Sequence, residues 1–320
     1  MHSPSAPTAT STGDHTLVLE RKKTIADGVV ELLLYSAAPL PVWAPGAHID
    51  LVFADDLIRQ YSLCGDPADR HHYRLGILRE PAGRGGSAFA HDWLDEGAAV
   101  VVRGPRNHFP LVTAPGYRFV AGGIGITPIL PMIRAAEAAG ADWQLLYGGR
   151  RHESMEFLDE LESYGTRVRF QPEDTAGRLD LDALLATPLP DTVIYSCGPE
   201  ALLQAVEQRC SSWPAGSLHL ERFAAVEQDH SADTAFEVVF EQSGVTATVP
   251  AGVSILDVAA EHGVFALRSC SEGVCGTCET VLLDGEPDHR DAVLSAEDRA
   301  DNCFIPCVSR CRSARLVLDL

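Results

Sequence analysis

Lysine is almost missing from this chain of 320 residues: the only two are adjacent, Lys22 and Lys23. Lysine and arginine together number 25 against 45 Asp and Glu, a formal net charge of −20. A field of that sign repels phosphate backbones and anionic lipid, so nucleic acid and membrane surfaces are excluded as partners and a basic protein surface is favoured. No stretch approaches the ~20 uninterrupted apolar residues that a spanning helix needs. The first residues lack a charged start followed by an apolar run, so no secretion signal is read there. Residues 1–15, rich in Ser, Thr, Pro and Ala, read as a disordered tail.

Nine cysteines form an odd count in a long chain without a secretion signal, which argues against a disulfide framework. A structural zinc site prefers two C-x2-C knuckles, and there is one. What is present is Cys270-Ser-Glu-Gly-Val-Cys275-Gly-Thr-Cys278, C-x4-C-x2-C, with further cysteines near the end of the chain. That spacing is the plant-type pattern for a [2Fe–2S] cluster held by four thiolates. Gly273 and Gly276 fit it, because a loop wrapped around a cluster needs turns with positive φ and amides aimed at sulfur. Cys303, Cys307 and Cys311 are all within reach as the fourth ligand. Free cysteines and a cluster place the protein in a reducing compartment, the cytoplasm.

With 46 % hydrophobic residues the chain can fill two or three cores, and three domains are expected. From Leu17 to Leu111 short β-rich segments are separated by Gly, Pro and Asp: Leu17–Arg21, Val29–Tyr35, His48–Phe53, Gln60–Leu63, Tyr73–Leu78 and Ala99–Val102. They predict a small antiparallel barrel. A helix over Ser87–Leu94 interrupts them, with Phe89 and Trp93 on one face. Before it, Gly83-Arg84-Gly85-Gly86-Ser87 combines free amides, a helix start and a cation, the makings of a phosphate site or of a plain flexible turn. Strand alternation puts Arg59 and Tyr61 on one face, where a cation and a ring could flank a planar phosphorylated ligand.

After Pro115-Gly116 the pattern becomes strand and helix in alternation. Strands are expected at Tyr117–Ala121, Trp143–Tyr147, Val168–Phe170, Thr192–Tyr195 and Leu218–Leu220, and helices at Ile129–Ala139, Phe157–Tyr164 and Glu200–Arg209. This predicts an α/β domain with a parallel sheet covered on both faces and a ligand at the carboxyl ends of its strands. Gly122, Gly123 and Gly125, followed by Thr127 and Pro128, sit at the first such end and would let a pyrophosphate approach the backbone. The fingerprint is incomplete, since Pro128 stands where a last glycine would be. Cys197-Gly198-Pro199 marks a second strand-to-helix turn, Cys197 reading equally as a small buried apolar residue. No acid clearly occupies the place that would bind a ribose 2′-OH, and Arg150-Arg151 could instead meet a 2′-phosphate.

Residues 225–234 read as a polar linker. Beyond it come strands Phe236–Phe240 and Val245–Val249, a helix over Ser254–His262, the cysteine loop, and strands Glu279–Leu283 and Leu316–Leu320.

Several motifs occur in the order of one family. Arg59-Gln-Tyr61-Ser62-Leu63, then Arg84-Gly-Gly86-Ser87, then Gly104-Pro-Arg-Asn107-His108-Phe-Pro-Leu111 resemble the flavin domain of the phthalate dioxygenase reductase family, which includes the vanillate demethylase reductases. The glycine-rich turn with the later Cys-Gly-Pro resembles the ferredoxin–NADP reductase superfamily. The cysteine loop followed by Cys307-Val-Ser-Arg310 resembles the family's β-grasp ferredoxin. The resemblance runs from about Leu17 to Leu320. It implies an FMN-binding antiparallel β-barrel at 16–113, a NAD-binding α/β domain at 114–224 and an α+β ferredoxin domain at 235–320. It implies FMN phosphate at Arg59, Arg84, Gly86 and Ser87, and the flavin ring against Tyr61, Ser62, Ile77 and Leu78, with Phe223 nearby. Gly122, Gly123, Gly125, Thr127, Pro128, Arg150, Cys197, Gly198 and Pro199 would serve NADH. It makes Cys307 the fourth cluster ligand beside Cys270, Cys275 and Cys278. Asn107 and His108 are left as structural residues of a turn.

The implied activity is an electron relay in which the cofactors carry the chemistry, with no side-chain acid or base required. No C-x-H…C-x2-H pair and no haem attachment motif is encoded. The electrons therefore go to a separate oxygenase, a Rieske aromatic hydroxylase or demethylase, or else a cytochrome P450. A redox-sensing carrier and a self-sufficient flavin reductase are the other readings. The chain is expected to be a monomer.

Overall fold

The computed structural model describes residues 14–54, 57–225 and 229–320. Six strands form the first sheet: β1 (His15–Ala26), β2 (Val29–Tyr35), β3 (His48–Ala54), β4 (Leu57–Ser62), β5 (His72–Leu78) and β6 (Ala99–Arg106). All pair antiparallel, in the order β4-β3-β6-β1-β2-β5, and a bridge between Leu63 and Leu75 joins the two edges into a barrel. Inward alternation of Leu17 and Leu19, Leu32 and Leu34, Ile49 and Leu51, and Tyr73, Leu75 and Ile77 fills its interior. The strand expected at Leu17–Arg21 is longer because two register shifts, after Leu19 and after Thr24, let it bend past its polar residues without losing its partner. Two residues expected within the disordered tail, Asp14 and His15, are ordered. Asp14 pairs with Arg103 at 2.7 Å and His15 begins β1; residues 1–13 lie outside the described residues.

The helix expected over Ser87–Leu94 is α1 (Gly86–Asp92), and Phe89 and Trp93 do not share a buried face. Phe89 packs on Phe53 with ring centroids 5.0 Å apart, whereas Trp93 caps the helix and is 75 % exposed.

The second sheet is parallel throughout: β7 (Gly116–Gly122), β8 (Asp142–Gly149), β9 (Val168–Pro172), β10 (Thr192–Cys197) and β11 (Leu218–Glu221), in the order β11-β10-β7-β8-β9. Both faces are covered. Phe119, Leu145 and Tyr195 point to one side with α2 (Ile126–Ala138) and α3 (Leu158–Glu162). Val120, Leu146 and Ile194 point to the other, against α5 (Asp182–Leu185) and α6 (Glu200–Arg209); α4 (Glu173–Ala176) follows β9. α2 starts earlier than expected despite Pro128, since the first turn of a helix has no use for that N–H. The helix expected from Phe157 starts one residue later, because Phe157 adopts φ 60° and turns its ring under the barrel near Gly76.

The third sheet is mixed. β12 (Phe236–Phe240) and β13 (Val245–Val249) form a hairpin, α7 (Ile255–Glu261) crosses over, and β14 (Thr280–Asp284) follows the cysteine loop. β15 (Pro287–Asp288), α8 (Ala296–Ala300), β16 (Cys303–Phe304), β17 (Arg310–Cys311) and β18 (Arg315–Leu318) complete it. The order is β13-β12-β18-β14-β16, with β12 and β18 parallel and β15 and β17 forming a separate ribbon. The stretch expected as a free linker is tied down at its end. Asp233 pairs with Arg290 at 2.7 Å and Arg310 at 3.4 Å, and its carboxylate is buried.

The barrel and the parallel sheet are locked by polar contacts. Arg74 bridges Glu31 (2.6 Å) and Glu160 (3.0 Å), Arg134 donates to the Cys64 carbonyl (3.0 Å), and the Tyr195 hydroxyl donates to Pro110 (2.8 Å). Among the described residues no helix is long and apolar enough to cross a membrane.

Candidate functional site

β7 lies between β8 and β10, so the chain leaves it in opposite directions and opens a crevice at the carboxyl ends of β7 and β10. Gly122–Gly125 and Cys197–Pro199 face each other across it. A Cβ on Gly125 would lie 2.3 Å from the Cys197 carbonyl, and one on Gly122 2.7 Å from Leu202. Those two glycines are therefore required by packing. Gly123 differs: at φ 53° it has open space where a side chain would go. Thr127 hydrogen-bonds the Ile124 carbonyl at 2.9 Å, and Pro128 is buried within α2.

Where the crevice meets the barrel there is a cleft of about 500 Å³. It gathers Arg59, Tyr61, Ser62, Leu78, Arg84, Gly86 and Ser87 from the barrel, Thr127 from α2 and Phe223 from the segment after β11. Ile77 is not among them: strand alternation turns Gly76 and Leu78 to the cleft and leaves Ile77 in the barrel core. Arg150 lies at the exposed end of β8, Arg151 pairs with Asp27 at 3.0 Å, and Asp174 donates its amide to the Arg150 carbonyl at 3.2 Å.

Burial and the nearby Arg84 hold the Arg59 guanidinium below its ordinary pKa. Two cations brought together at one end of a cleft, beside Gly86 and Ser87 at the start of α1, form a place shaped for an anion. The flavin and its phosphate fit these residues. Arg84 also donates to the Cys270 carbonyl (2.8 Å) and pairs with Glu272 (3.0 Å), so the ferredoxin domain closes that end.

Sequence reasoning missed Glu221. It stands beside Cys197 in the β10–β11 register, 3.9 Å from its Sγ, and lines the cleft. Burial pushes the Glu221 carboxyl up to about 8 and raises the Cys197 thiol well above its ordinary value. The signal lay in strand pairing, which becomes visible only once the sheet order is known. Also missed was His48, buried on the cleft and stacked on His108 at 6.0 Å, with burial pushing it down to about 3. His108 in turn fills the space beside Gly276, where a Cβ would meet its ring at 2.1 Å. The turn residue is therefore a contact between barrel and cysteine loop.

All four cysteines of the expected set are buried and none is in a disulfide. Cys270 lies within interaction range of Cys275 and Cys307, and Cys307 of Cys278, so the four thiols are gathered together. Four thiolates are the donor set that a two-iron cluster takes. Amides of Glu272 and Thr277 point at Cys270 Sγ (3.3 Å) and Cys275 Sγ (3.4 Å). The neighbouring Cys275 and Cys307 thiols, with the Glu272 amide, hold Cys270 far below its ordinary pKa. Gly273 (φ 72°) and Gly276 (φ 67°) make the turns. Cys311 is engaged elsewhere, with Ser313 and the Arg315 carbonyl, and burial pushes Cys303 up to about 11. The donor set fits a [2Fe–2S] cluster. Val274 and Cys275 line the same cleft as Tyr61 and Phe223, so the cysteine loop is part of that cleft's wall.

Comparison with known proteins agrees with this arrangement. Residues 238–312 match the 2Fe-2S iron-sulfur cluster binding domain and residues 119–208 the oxidoreductase NAD-binding domain. The chain is 42 % identical to phenoxybenzoate dioxygenase subunit beta of Ectopseudomonas oleovorans, over 94 % of this chain and 96 % of that one. It is 38 % identical to phthalate dioxygenase reductase of Burkholderia cepacia, over 95 % and 97 %. Among solved structures, an intact type IV self-sufficient cytochrome P450 monooxygenase superposes with a TM-score of 0.91 at 42 % identity, over 96 % of this chain. This chain spans only 41 % of that longer protein. With its three sheets, its cleft and its cysteine loop, the chain belongs to the phthalate dioxygenase reductase family, NAD(P)H-dependent flavin and [2Fe–2S] oxidoreductases that serve oxygenase systems.

Proposed function

We propose that this protein is the NADH-dependent reductase of a two-component oxygenase system, passing electrons through FMN and the [2Fe–2S] cluster to a separate Rieske hydroxylase or demethylase. The observation that carries it is the shared cleft: Val274 and Cys275 of the cluster loop lie on the same cavity as Arg59, Tyr61, Thr127 and Phe223. When bound, the flavin takes electrons in pairs from a nicotinamide and releases them singly, which neither other centre does.

The chain's own residues hold and separate the partners. Arg59, Arg84, Gly86 and Ser87 would hold the phosphate, while Tyr61, Ser62 and Leu78 would support the ring. Phe223 would lie near the ring, and Gly123 with the start of α2 would receive the dinucleotide phosphates. Pro128 and Ile77 act behind these groups as packing. The closure of the phosphate end by Arg84, Cys270 and Glu272 supports a mononucleotide. Arg151 is engaged by Asp27, and Glu173 and Asp174 lie beside Arg150, so a 2′-phosphate would meet acids; this supports NADH. Cys270, Cys275, Cys278 and Cys307 hold the cluster. We read the domain limits as 14–113, 114–224 and 235–320, and the protein as a cytoplasmic monomer.

The likeness to a P450 fusion favours a second reading, in which the acceptor is a cytochrome P450. Purified protein should carry one FMN with two irons and two labile sulfides, and anaerobic NADH should bleach the flavin and cluster bands together. Turnover of a Rieske oxygenase, but not of a P450, on mixing would support the first reading. Absence of a flavin band and of iron and sulfide would end both.

A further inference from the structure

We infer that Phe265 and Leu267 form the docking point for the electron acceptor, and that this acceptor is a protein presenting an apolar depression rimmed by lysine or arginine. The inference rests on the relay proposed above.

α7 ends in a tight turn. Gly263 adopts φ 72° and donates to the Ala260 carbonyl (3.1 Å), while Val264 donates to Ala259 (2.8 Å). The chain then runs extended into the cysteine loop. Val264 packs into the ferredoxin core, and Ala266 packs on the small cluster made by Leu256, Cys278, Cys307 and their neighbours. The intervening residues are turned outward: Phe265 is 82 % exposed and Leu267 52 %. Just beyond them, Arg268 is held by Asp257 at 2.5 Å, and Ser254 caps the helix carrying that Asp. An aromatic and a leucine are thus displayed by a fixed piece of backbone, and little ordering remains to be done on binding.

Their position gives the cluster two sides. Cys270, Val274 and Cys275 touch the barrel and its cleft, the side from which electrons arrive. Ala266, between the two exposed side chains in sequence, packs on the buried cluster that includes Cys278 and Cys307. An acceptor seated on Phe265 and Leu267 approaches the cluster from the side the flavin leaves free.

Charge identifies the kind of partner. Residues 235–320 hold fourteen Asp and Glu against six arginines and no lysine. Each of the six arginines is in an ion pair, for example Arg299 with Asp291 and Arg315 with Glu237. Glu261, four residues before Phe265, and Glu279, next to Cys278, are exposed, as are Glu297 and Asp301. An apolar centre within an acidic surround is complementary to an acceptor with the opposite rim.

Cytochrome c, a basic one-electron acceptor, is the probe. Each turnover oxidises NADH to NAD⁺ with release of a proton and reduces two ferric haems to ferrous, one electron at a time, so the cluster returns to its oxidised state. The double variant Phe265→Ser with Leu267→Ser should raise the KM for cytochrome c at least about fivefold. Ferricyanide reduction and bleaching of the cluster by NADH should stay unchanged. An unchanged KM overturns the inference. Hydroxyl-radical labelling of the wild-type holoprotein gives an answer even if the variant loses its cluster: cytochrome c should protect Phe265 and Leu267 several-fold at low salt, and equal labelling with and without it overturns the inference. Failure of NADH to bleach the wild-type cluster would instead defeat the relay, and the labelling would still report the docking face.

Discussion

A Cβ placed on Gly86 would stand 2.3 Å from Cγ of Arg59, so the stem of this arginine runs through the space that any other residue at 86 would occupy. Gly86→Ala must displace Arg59 from the anion end of the cleft while leaving the barrel strands untouched. The expected result is FMN binding weakened by about tenfold to a hundredfold, the worth of a charge-assisted hydrogen bond. Far-UV dichroism should be unaltered. Flavin fluorescence titration measures the affinity, and wild-type retention of FMN would show that Arg59 does not reach the phosphate.

Three late cysteines compete on paper for the fourth cluster position, and the fold separates them. Cys307 touches Cys270 and Cys278, whereas Cys311 is bound to Ser313 and the Arg315 carbonyl. Cys307→Ser should lose iron and labile sulfide together with cytochrome c reduction, and keep ferricyanide reduction by the flavin. Cys303→Ser and Cys311→Ser should retain a full complement of iron. Iron and sulfide assays on the three proteins check this, and full retention in Cys307→Ser would refute the assignment.

The sequence exposed what depends on local pattern. Alternating strands, the change to strand–helix alternation after Gly116 and the C-x4-C-x2-C loop all carry their signal within a few residues. What stayed hidden depends on partners far away in the chain. Trp93 shares a helical period with Phe89, yet only Phe89 finds Phe53 to pack on. Ile77 and Leu78 are equally apolar neighbours, and the pleat sends one inward and one to the cleft. Glu221 becomes a site residue only because β11 pairs with β10 beside Cys197. His108, which reads as a turn residue, fills the space beside Gly276 across a domain boundary.

Asp233 closes the linker onto the ferredoxin domain by accepting from Arg290 and lying beside Arg310, whose own side chain donates to the carbonyls of Val253 (2.7 Å) and Pro250 (2.9 Å). Asp233→Ala leaves those arginines without their shared carboxylate, a change that costs more than the pair itself contributes. Melting followed at the cluster absorbance should fall by roughly 5–10 °C, while melting of the flavin domain moves little. A common unchanged transition would mean the clamp carries no stability.

Glu156 is the buried acid for which the proposed relay has no use. Among the described residues neither carboxylate oxygen has a hydrogen-bond partner of good geometry, the Tyr147 hydroxyl bonds to the Glu156 backbone, and burial pushes the carboxyl's pKa up to about 7. A carboxyl whose folded pKa lies above its unfolded value is bound more tightly to its proton in the native state. Its favourable contribution is complete below about pH 4.5 and declines as pH rises, to be lost once pH passes about 7. Glu156→Gln keeps the neutral shape at every pH. The variant and wild type should therefore melt together near pH 4.5, and the variant should gain progressively above it, reaching about 3 kcal/mol by pH 8.5. Thermal melts at both pH values provide the measurement. A wild type as stable as Glu156→Gln at the higher pH would show that the carboxylate finds water or a cation when it ionises.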